Sequence, residues 1–339
     1  MLNKKALITG ISGQDGAYLS NLLLSKGYEV FGIERRTASN ENYRLKFFNI
    51  FEKIKLYRID LYEFNQVSKL IIDEQFDEIY NLAAQSFVGS SWDNPISTSN
   101  TNSLAVTNIL DSINMFSPKT KFYQASTSEM FGKIVQKKQS EDTPFYPRSP
   151  YGVSKLYAHW MTINYRESYN LFCCSGILFN HESPLRGSEF VTKKIVESLT
   201  KQSVSNEEVL KLGNIDAKRD WGFAGDYVEA MHLMLQQEKP DDFVIGTGVT
   251  NSVRKFCELT LSKLNIDFSW EGKGLEEKCI RNSDNKVLIE ISPDFFRPAE
   301  VDVLLADANK AKKILNWKPK HNLENLVEIM VDFELSKLS

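Results

Sequence analysis

Lys5-Ala6-Leu7-Ile8-Thr9-Gly10-Ile11-Ser12-Gly13-Gln14-Asp15-Gly16 decides how the rest of the chain is read. A short apolar run closes on three glycines spaced three apart, and Ala17-Tyr18-Leu19-Ser20-Asn21-Leu22-Leu23-Leu24 then carries apolar residues at helical spacing. Strand, glycine turn and helix in that order are what a dinucleotide site requires. Gly10, Gly13 and Gly16 let the turn close, let backbone approach a pyrophosphate and let the helix pack tightly. The first N–H groups of the helix then meet the anion. Ser12, Gln14 and Asp15 complete the turn and are read with the glycines as cofactor-binding residues.

Outward from this unit, Tyr28-Glu29-Val30-Phe31-Gly32-Ile33 reads as a second strand ending in Glu34-Arg35-Arg36-Thr37-Ala38-Ser39. It lies about 20 residues beyond the glycines, where an acidic residue holds a ribose 2′-OH and an arginine accepts a 2′-phosphate. Arg35 and Arg36 argue for NADP, because guanidinium pairs with phosphate through two N–H groups. Glu34 argues for NAD. NADP is the expected cofactor, with NAD kept open by Glu34 and a solvated charge cluster as the bland reading. A third strand, Lys55-Leu56-Tyr57-Arg58-Ile59, ends at Asp60-Leu61, where an Asp can bond an adenine amino group. Glu78-Ile79-Tyr80-Asn81 runs into Leu82-Ala83-Ala84-Gln85-Ser86, whose small side chains leave room for a ligand at a strand's carboxyl end. Val106, Ile109, Leu110 and Ile113 form a helical stripe. This βαβα alternation predicts an α/β fold, a Rossmann-type doubly wound parallel sheet with helices on both faces.

Phe122-Tyr123-Gln124-Ala125-Ser126-Thr127-Ser128-Glu129 reads as a buried strand ending in oxygen-bearing side chains. Beyond a polar loop, Tyr151-Gly152-Val153-Ser154-Lys155 sets a phenol and an ammonium four apart on one helical face. A Lys⁺ beside a Tyr of ordinary pKa about 10 favours phenolate, so Tyr151 is expected to be drawn toward neutrality as a base. Glu129 supplies a separate acid/base group, its bland reading being a surface carboxylate. Thr127, Glu129, Tyr151 and Lys155 are the candidate catalytic residues. A further strand over Leu171–Phe179 ends at Asn180-His181-Glu182-Ser183-Pro184-Leu185-Arg186-Gly187, a polar loop that places His181 and Arg186 near the ligand.

From about residue 188 the alternation degrades. Val191–Leu199 reads as a helix, Leu210–Asn214 as a strand, Arg219-Asp220-Trp221-Gly222 as a polar turn and Phe243–Gly248 as one more sheet strand. The expected division is a dinucleotide-binding domain over 1–179 with returns near 236–264, and a smaller, interleaved C-terminal lobe over 180–235 and 265–335. At 339 residues the chain is long enough for both, and 42% hydrophobic with 25% charged residues is ordinary for a globular enzyme. A formal net charge of −3 gives no reason to expect nucleic acid or a membrane as partner. Two lysines and a short apolar run at the start do not make a signal peptide, so a cytoplasmic protein is expected. Cys173, Cys174, Cys257 and Cys279 show no metal-ligand spacing and read as buried thiols.

Gly10-x-x-Gly13-x-x-Gly16, Asn81-Leu82-Ala83-Ala84 and Tyr151-x-x-x-Lys155 together resemble the extended short-chain dehydrogenase/reductases. More closely, Gly10–Gly16, Tyr123–Glu129, Pro144–Tyr151, Asn164–Tyr169, Phe179–Pro184, Arg219–Gly222 and Phe296-Arg297-Pro298-Ala299-Glu300-Val301 resemble the GDP-mannose 4,6-dehydratase family, over nearly the whole chain. The resemblance implies a hydro-lyase that removes hydride from C4 of a GDP-sugar and returns it to C6 with loss of water. Tyr151 with Lys155 would act at O4, Thr127 would bond O4, and Glu129 would take H5 and assist departure of the C6 hydroxyl. It implies that Lys155, His181 and Arg186 also bind cofactor, that Ser86, Ser128, Asn180, Lys194 and Arg219 belong near the nucleotide-sugar, and that Arg297 and Glu300 lie near its nucleotide end. It also implies a homodimer or homotetramer built through helices around 100–116 and 151–168. Against the family, Thr37–Tyr43 is altered and shortened, Ser97 stands where a cofactor-contacting Tyr is usual, and Glu34 replaces a basic or neutral residue. GDP-mannose, GDP-manno-heptose and GDP-N-acetylglucosamine remain open as substrates. An epimerase or ketoreductase on the same fold, and a cofactor-sensing binding protein, are the competing readings.

Overall fold

Strands rich in Val, Ile, Leu and Phe, buried on both faces, pair side by side only when helices cover both sides of the sheet. The computed structural model, which describes residues 3–35, 42–205, 208–296 and 303–338, is built this way. We number six of the sheet strands β1 (Lys5–Thr9), β2 (Glu29–Glu34), β3 (Lys55–Arg58), β4 (Glu78–Asn81), β5 (Lys121–Thr127) and β6 (Cys173–Leu178). With Asp242–Ile245 they form a parallel sheet in the order Asp242–Ile245, β6, β5, β4, β1, β2, β3. The order reverses between β1 and β4, which opens a crevice at the carboxyl ends of the strands.

Adjacent residues of β1 face opposite layers. Ala6 and Ile8 join the core under helices Gln14–Ser25 and Ala224–Leu235, whereas Leu7 joins the core under Phe64–Glu74, Ala105–Phe116 and Pro150–Tyr169. All four cysteines are buried free thiols, as expected.

The smaller lobe has its own core. Its sheet runs Phe268–Glu271, Lys278–Arg281, Lys286–Ile291, Leu210–Leu212, covered by helices Val191–Val204, Val253–Lys263 and Leu323–Ser336. Of the expected return near 236–264, strand Asp242–Ile245 lies in the large sheet, while Phe256, Cys257 and Leu261 lie in the lobe core.

Two polar stretches differ from their reading. Asn180–Glu182 continues as a short strand pairing in parallel with Trp221–Phe223. Arg219–Gly222 is not a turn: Lys218–Arg219 and Trp221–Phe223 are short strands, and Asp220 and Trp221 are buried. The Asp220 carboxylate accepts from the Thr247 and Gly248 backbone N–H groups at 2.8 Å, from the Thr247 hydroxyl at 2.6 Å and from the Ala306 N–H at 3.2 Å. A carboxylate with that many donors can be buried, which residue type alone did not reveal.

Candidate active site

The glycine turn is fixed by steric need. Gly10 has φ +67°, and a Cβ there would lie 2.8 Å from the Ala83 Cα, so the turn lies directly against the end of β4. A Cβ on Gly16 would lie 2.5 Å from the Ile11 carbonyl, closing strand onto helix. Gly13 is less tightly enclosed, a Cβ there meeting the Gly10 carbonyl at 3.2 Å, a close contact rather than a clash. It is also the N-cap of helix Gln14–Ser25, with no side chain bonded to the cap. The first N–H groups are thus unclaimed by a side-chain cap and the approach to them is narrow-backboned, which fits a pyrophosphate.

Gln14 and Asp15 turn inward to the loop after β6. The Gln14 amide donates to the His181 carbonyl at 3.1 Å and accepts from the Ser183 hydroxyl at 2.8 Å. The Asp15 carboxylate meets His181 Nε2 at 2.7 Å, while His181 Nδ1 meets the Phe179 carbonyl at 2.8 Å and the ring stacks on Tyr227. Burial favours the neutral acid, but the charge and hydrogen bond of His181, with Gln14 and Arg186, bring the Asp15 pKa down to about 2. Burial also opposes the imidazolium, yet Asp15 and the Phe179 carbonyl outweigh it and raise His181. Arg44, which sequence reading passed over, clamps the same region by donating to the Ser12 carbonyl at 3.2 Å and the Leu185 carbonyl at 2.8 Å. Nothing in its sequence context, between two aromatic-rich turns, marks it.

At the ends of β2 and β3, Arg35 and Asp60 are exposed, Leu61 is buried, and Asp60 accepts from the Tyr62 N–H at 3.1 Å. Beyond β4, Leu82, Ala83 and Ala84 are half-buried and Ser86 is exposed. Gln85 exchanges backbone hydrogen bonds with the Asn102 amide at 2.9 and 3.1 Å, and its own Oε1 is buried without a partner among the described residues. Asn102 sits on a π-helical turn, Asn100–Leu104, and also donates to the Ser154 hydroxyl at 3.1 Å. That turn therefore links the β4 loop to the helix bearing Tyr151 and Lys155.

The catalytic candidates converge where β5 meets that helix. Thr127 ends β5 and caps the 3₁₀ turn Ser128–Met130, its hydroxyl accepting from the Glu129 N–H at 3.2 Å. Pro150 and the Ser149 hydroxyl, which accepts from the Gly152 N–H at 3.0 Å, start the next helix. A Cβ on Gly152 would lie 2.9 Å from the Glu129 carbonyl, so the two elements touch through a glycine. Tyr151 and Thr127 are buried, Ser128 is buried and Glu129 is half-buried.

The expected lowering of Tyr151 is not what the structure gives. Burial pushes its phenol up to about 12; a hydrogen bond from Thr127 works against this and the Glu129 charge adds to it. Lys155 is not aimed at the phenol. Its ammonium donates to the Ala125 carbonyl at 2.9 Å, and burial brings its pKa down to about 8. That carbonyl ends a buried chain: Thr9 donates to Asn81 at 2.6 Å, Asn81 to Gln124 at 2.8 Å, and Gln124 to the Ala125 carbonyl at 3.0 Å.

On the lobe side, Asn180 is half-buried and Arg186 lies 3.0 Å from the Glu182 carboxylate with its guanidinium over the Phe190 ring. Lys194 donates to the Lys211 carbonyl at 2.9 Å and lies over the Phe295 ring; burial lowers its pKa. Arg219 is buried and donates to the Lys218 carbonyl at 2.9 Å. Arg36, Arg297 and Glu300 fall outside the described residues.

A glycine turn beside a Thr–Tyr–Lys set at the carboxyl ends of a parallel sheet is the layout of the extended short-chain dehydrogenase/reductases. The fold matches UDP-glucose 4-epimerase of Thermotoga maritima (TM-score 0.83, 21% identity, covering 99% of this chain and 100% of that one). It also matches dTDP-glucose 4,6-dehydratase of Bacillus anthracis (TM-score 0.82, 20% identity, covering 98% and 97%). In sequence, the GDP-mannose 4,6 dehydratase family model matches residues 7–330. GDP-mannose 4,6 dehydratase of Drosophila melanogaster is 47% identical over 345 residues, 99% of this chain and 87% of that protein. The protein of the same name from Homo sapiens is 47% identical, covering 98% and 92%, and that of Vibrio cholerae 45%, covering 99% and 95%. The chain belongs to the GDP-mannose 4,6-dehydratase family.

Proposed function

We propose that the protein is a hydro-lyase that converts GDP-mannose to its 4-keto-6-deoxy product, using NADP held by the glycine turn. A bound nicotinamide would supply a hydride acceptor for C4 and a hydride donor for C6. Tyr151 takes the O4 proton once its phenol has been ionised by the positive charge of Lys155, fixed on the Ala125 carbonyl, and of the oxidised cofactor, while Thr127 bonds the same oxygen. The 4-ketone acidifies H5. Glu129 removes H5 and delivers that proton to the departing C6 hydroxyl, which leaves as water, and the proton held by Tyr151 balances the one that C5 regains as C6 is reduced. His181, Asp15, Gln14 and Arg186 hold the turn against the loop after β6, and Asn180, Lys194 and Arg219 face the sugar-nucleotide from the lobe.

The carrying observation is Glu129, two residues past the Thr127 cap and against the helix start that bears Tyr151. An epimerase or ketoreductase has no use for a second acid/base group there, and a cofactor sensor needs none of the four. Incubation with GDP-mannose, GDP-manno-heptose and GDP-N-acetylglucosamine without added reductant, followed by NMR and mass, tests the reading. The expected product is lighter by one water and carries a C4 ketone. Isomerisation without water loss, or consumption of reduced cofactor, moves the chain to the competing activities. Glu129→Gln should keep cofactor bound and stall elimination, leaving reduced nicotinamide on the protein; unchanged turnover overturns its role.

Exposed apolar side chains on two neighbouring helices, Leu104, Met115, Val153, Tyr157 and Trp160, support a homodimer through these helices. Among the described residues no helix is long and apolar enough to cross a membrane. The proposed site of action is the cytoplasm, where nucleotide-sugars are made.

A further inference from the structure

Glu34 stands where a carboxylate grips the adenosine ribose and repels a 2′-phosphate. Its position is not in doubt from the backbone: the Gly10 N–H donates to the carbonyl of Ile33 at 3.1 Å, so Glu34 is the next residue out from the glycine turn. Directly across the ladder, in register with it, is Arg58 at the end of β3. The Arg58 guanidinium lies 3.3 Å from the Glu34 carboxylate. The carboxylate is 12% exposed and the guanidinium 52%, so this corner presents its cation to solvent and tucks its anion behind. Arg35, exposed and adjacent in the chain, adds a second guanidinium.

We infer that Arg58 is a specificity-determining residue, holding Glu34 in an ion pair so that the adenosine corner accepts the 2′-phosphate of NADP. The inference rests on the NADP reading above. A carboxylate already accepting from a guanidinium is a poorer acceptor for ribose hydroxyls, and its charge is met locally. Among the described residues Arg35 and Arg58 flank Glu34, with Asp60 exposed two residues beyond Arg58, so neutralising Glu34 is what allows this corner to take a dianionic phosphate. As a stabilising contact the pair is weak, because one partner is half in water. Its effect is on ligand choice. Arg58 is on the edge strand of the sheet, so its replacement leaves the core intact.

Calorimetric titration of nucleotide-free protein with NADP and with NAD, in the absence of sugar, tests this. The wild-type protein should bind NADP more tightly. Arg58→Gln should weaken NADP roughly tenfold, the effect of one uncancelled like charge nearby, while NAD binding holds or improves. Glu34→Gln in the Arg58→Gln background should restore most of the NADP affinity, and the Arg58→Gln effect should shrink as salt rises. If the wild type prefers NADP and Arg58→Gln leaves the ratio unchanged, the role given to Arg58 is wrong and the cofactor reading stands. If the wild type prefers NAD, the cofactor reading fails and the inference with it.

Discussion

Tyr151 begins with its proton firmly held, at a pKa near 12, and Lys155 begins with its own loosened to about 8. Both shifts start from burial, which disfavours whichever form is charged. The four-residue spacing disclosed the pair, but the depth of burial and the Ala125 carbonyl that captures the ammonium arise from packing across β1, β4 and β5, and no spacing encodes them. The folded state carries a penalty for ammonium wherever the unfolded lysine is protonated. It is full below about pH 8 and fades toward pH 10.5. Lys155→Met should therefore melt higher than wild type at pH 7 by calorimetry, with the gain disappearing above pH 10, while turnover falls by orders of magnitude. The Asp15–His181 pair has the opposite sense. Asp15 is lowered, so its contribution is lost as pH falls below 3.8 toward 2; His181 is raised, so its contribution is complete below 6.5 and lost as pH climbs through its folded value. The melting temperature of His181→Gln should lag wild type most between about pH 4 and 6.5 and draw level at higher pH. A gap independent of pH would mean the ring acts by shape alone, through its stack on Tyr227.

The helix Pro150–Tyr169 is placed by its first turn, and that turn can be probed in two ways. Ser149→Ala removes a cap and should cost about 1 kcal/mol of stability in denaturant unfolding, with little change in activity. Gly152→Ala puts a methyl 2.9 Å from the Glu129 carbonyl, so the 3₁₀ turn and the helix must part. The expected result is a kcat loss of tenfold or more with KM little changed, since positioning of acid/base groups is sensitive to shifts well under 1 Å. Equal kinetics for the two variants would show that the contact does not position Glu129. Elements of this kind were largely legible in the sequence: the glycine turn, the parallel strands and the Tyr151 helix follow from local periodicity and spacing. Arg219–Gly222 and Asn180–Glu182 read as a polar turn and a polar loop rather than as strands because their partners are remote, with Thr247 and Ala306 lying 27 and 86 residues from Asp220. Arg44 and the Arg58–Glu34 pair escaped for the same reason, being defined by chain segments that meet only in the fold.

Across the whole molecule, the large sheet with its helices and the smaller lobe share one chain and are stitched at Asp226, whose carboxylate accepts from the Lys320 and His321 N–H groups at 2.8 and 3.0 Å and whose carbonyl accepts from the Trp317 indole at 2.9 Å. The proposed dimer would form through the apolar residues left exposed on helices Ala105–Phe116 and Pro150–Tyr169. Trp160, 50% exposed, should become a charge barrier as Trp160→Glu. In sedimentation velocity that variant should run as a monomer at concentrations where wild type is dimeric, with an unaltered circular dichroism spectrum; a monomeric wild type removes the basis for the dimer. The stitching also orders events on the ribosome. Asp242–Ile245 completes the large sheet well before Leu323–Ser336 emerges, and the lobe core needs Leu326, Val327 and Met330 from that helix. A nascent chain can therefore complete its glycine turn and the sheet around it while the smaller lobe is still waiting for its final helix.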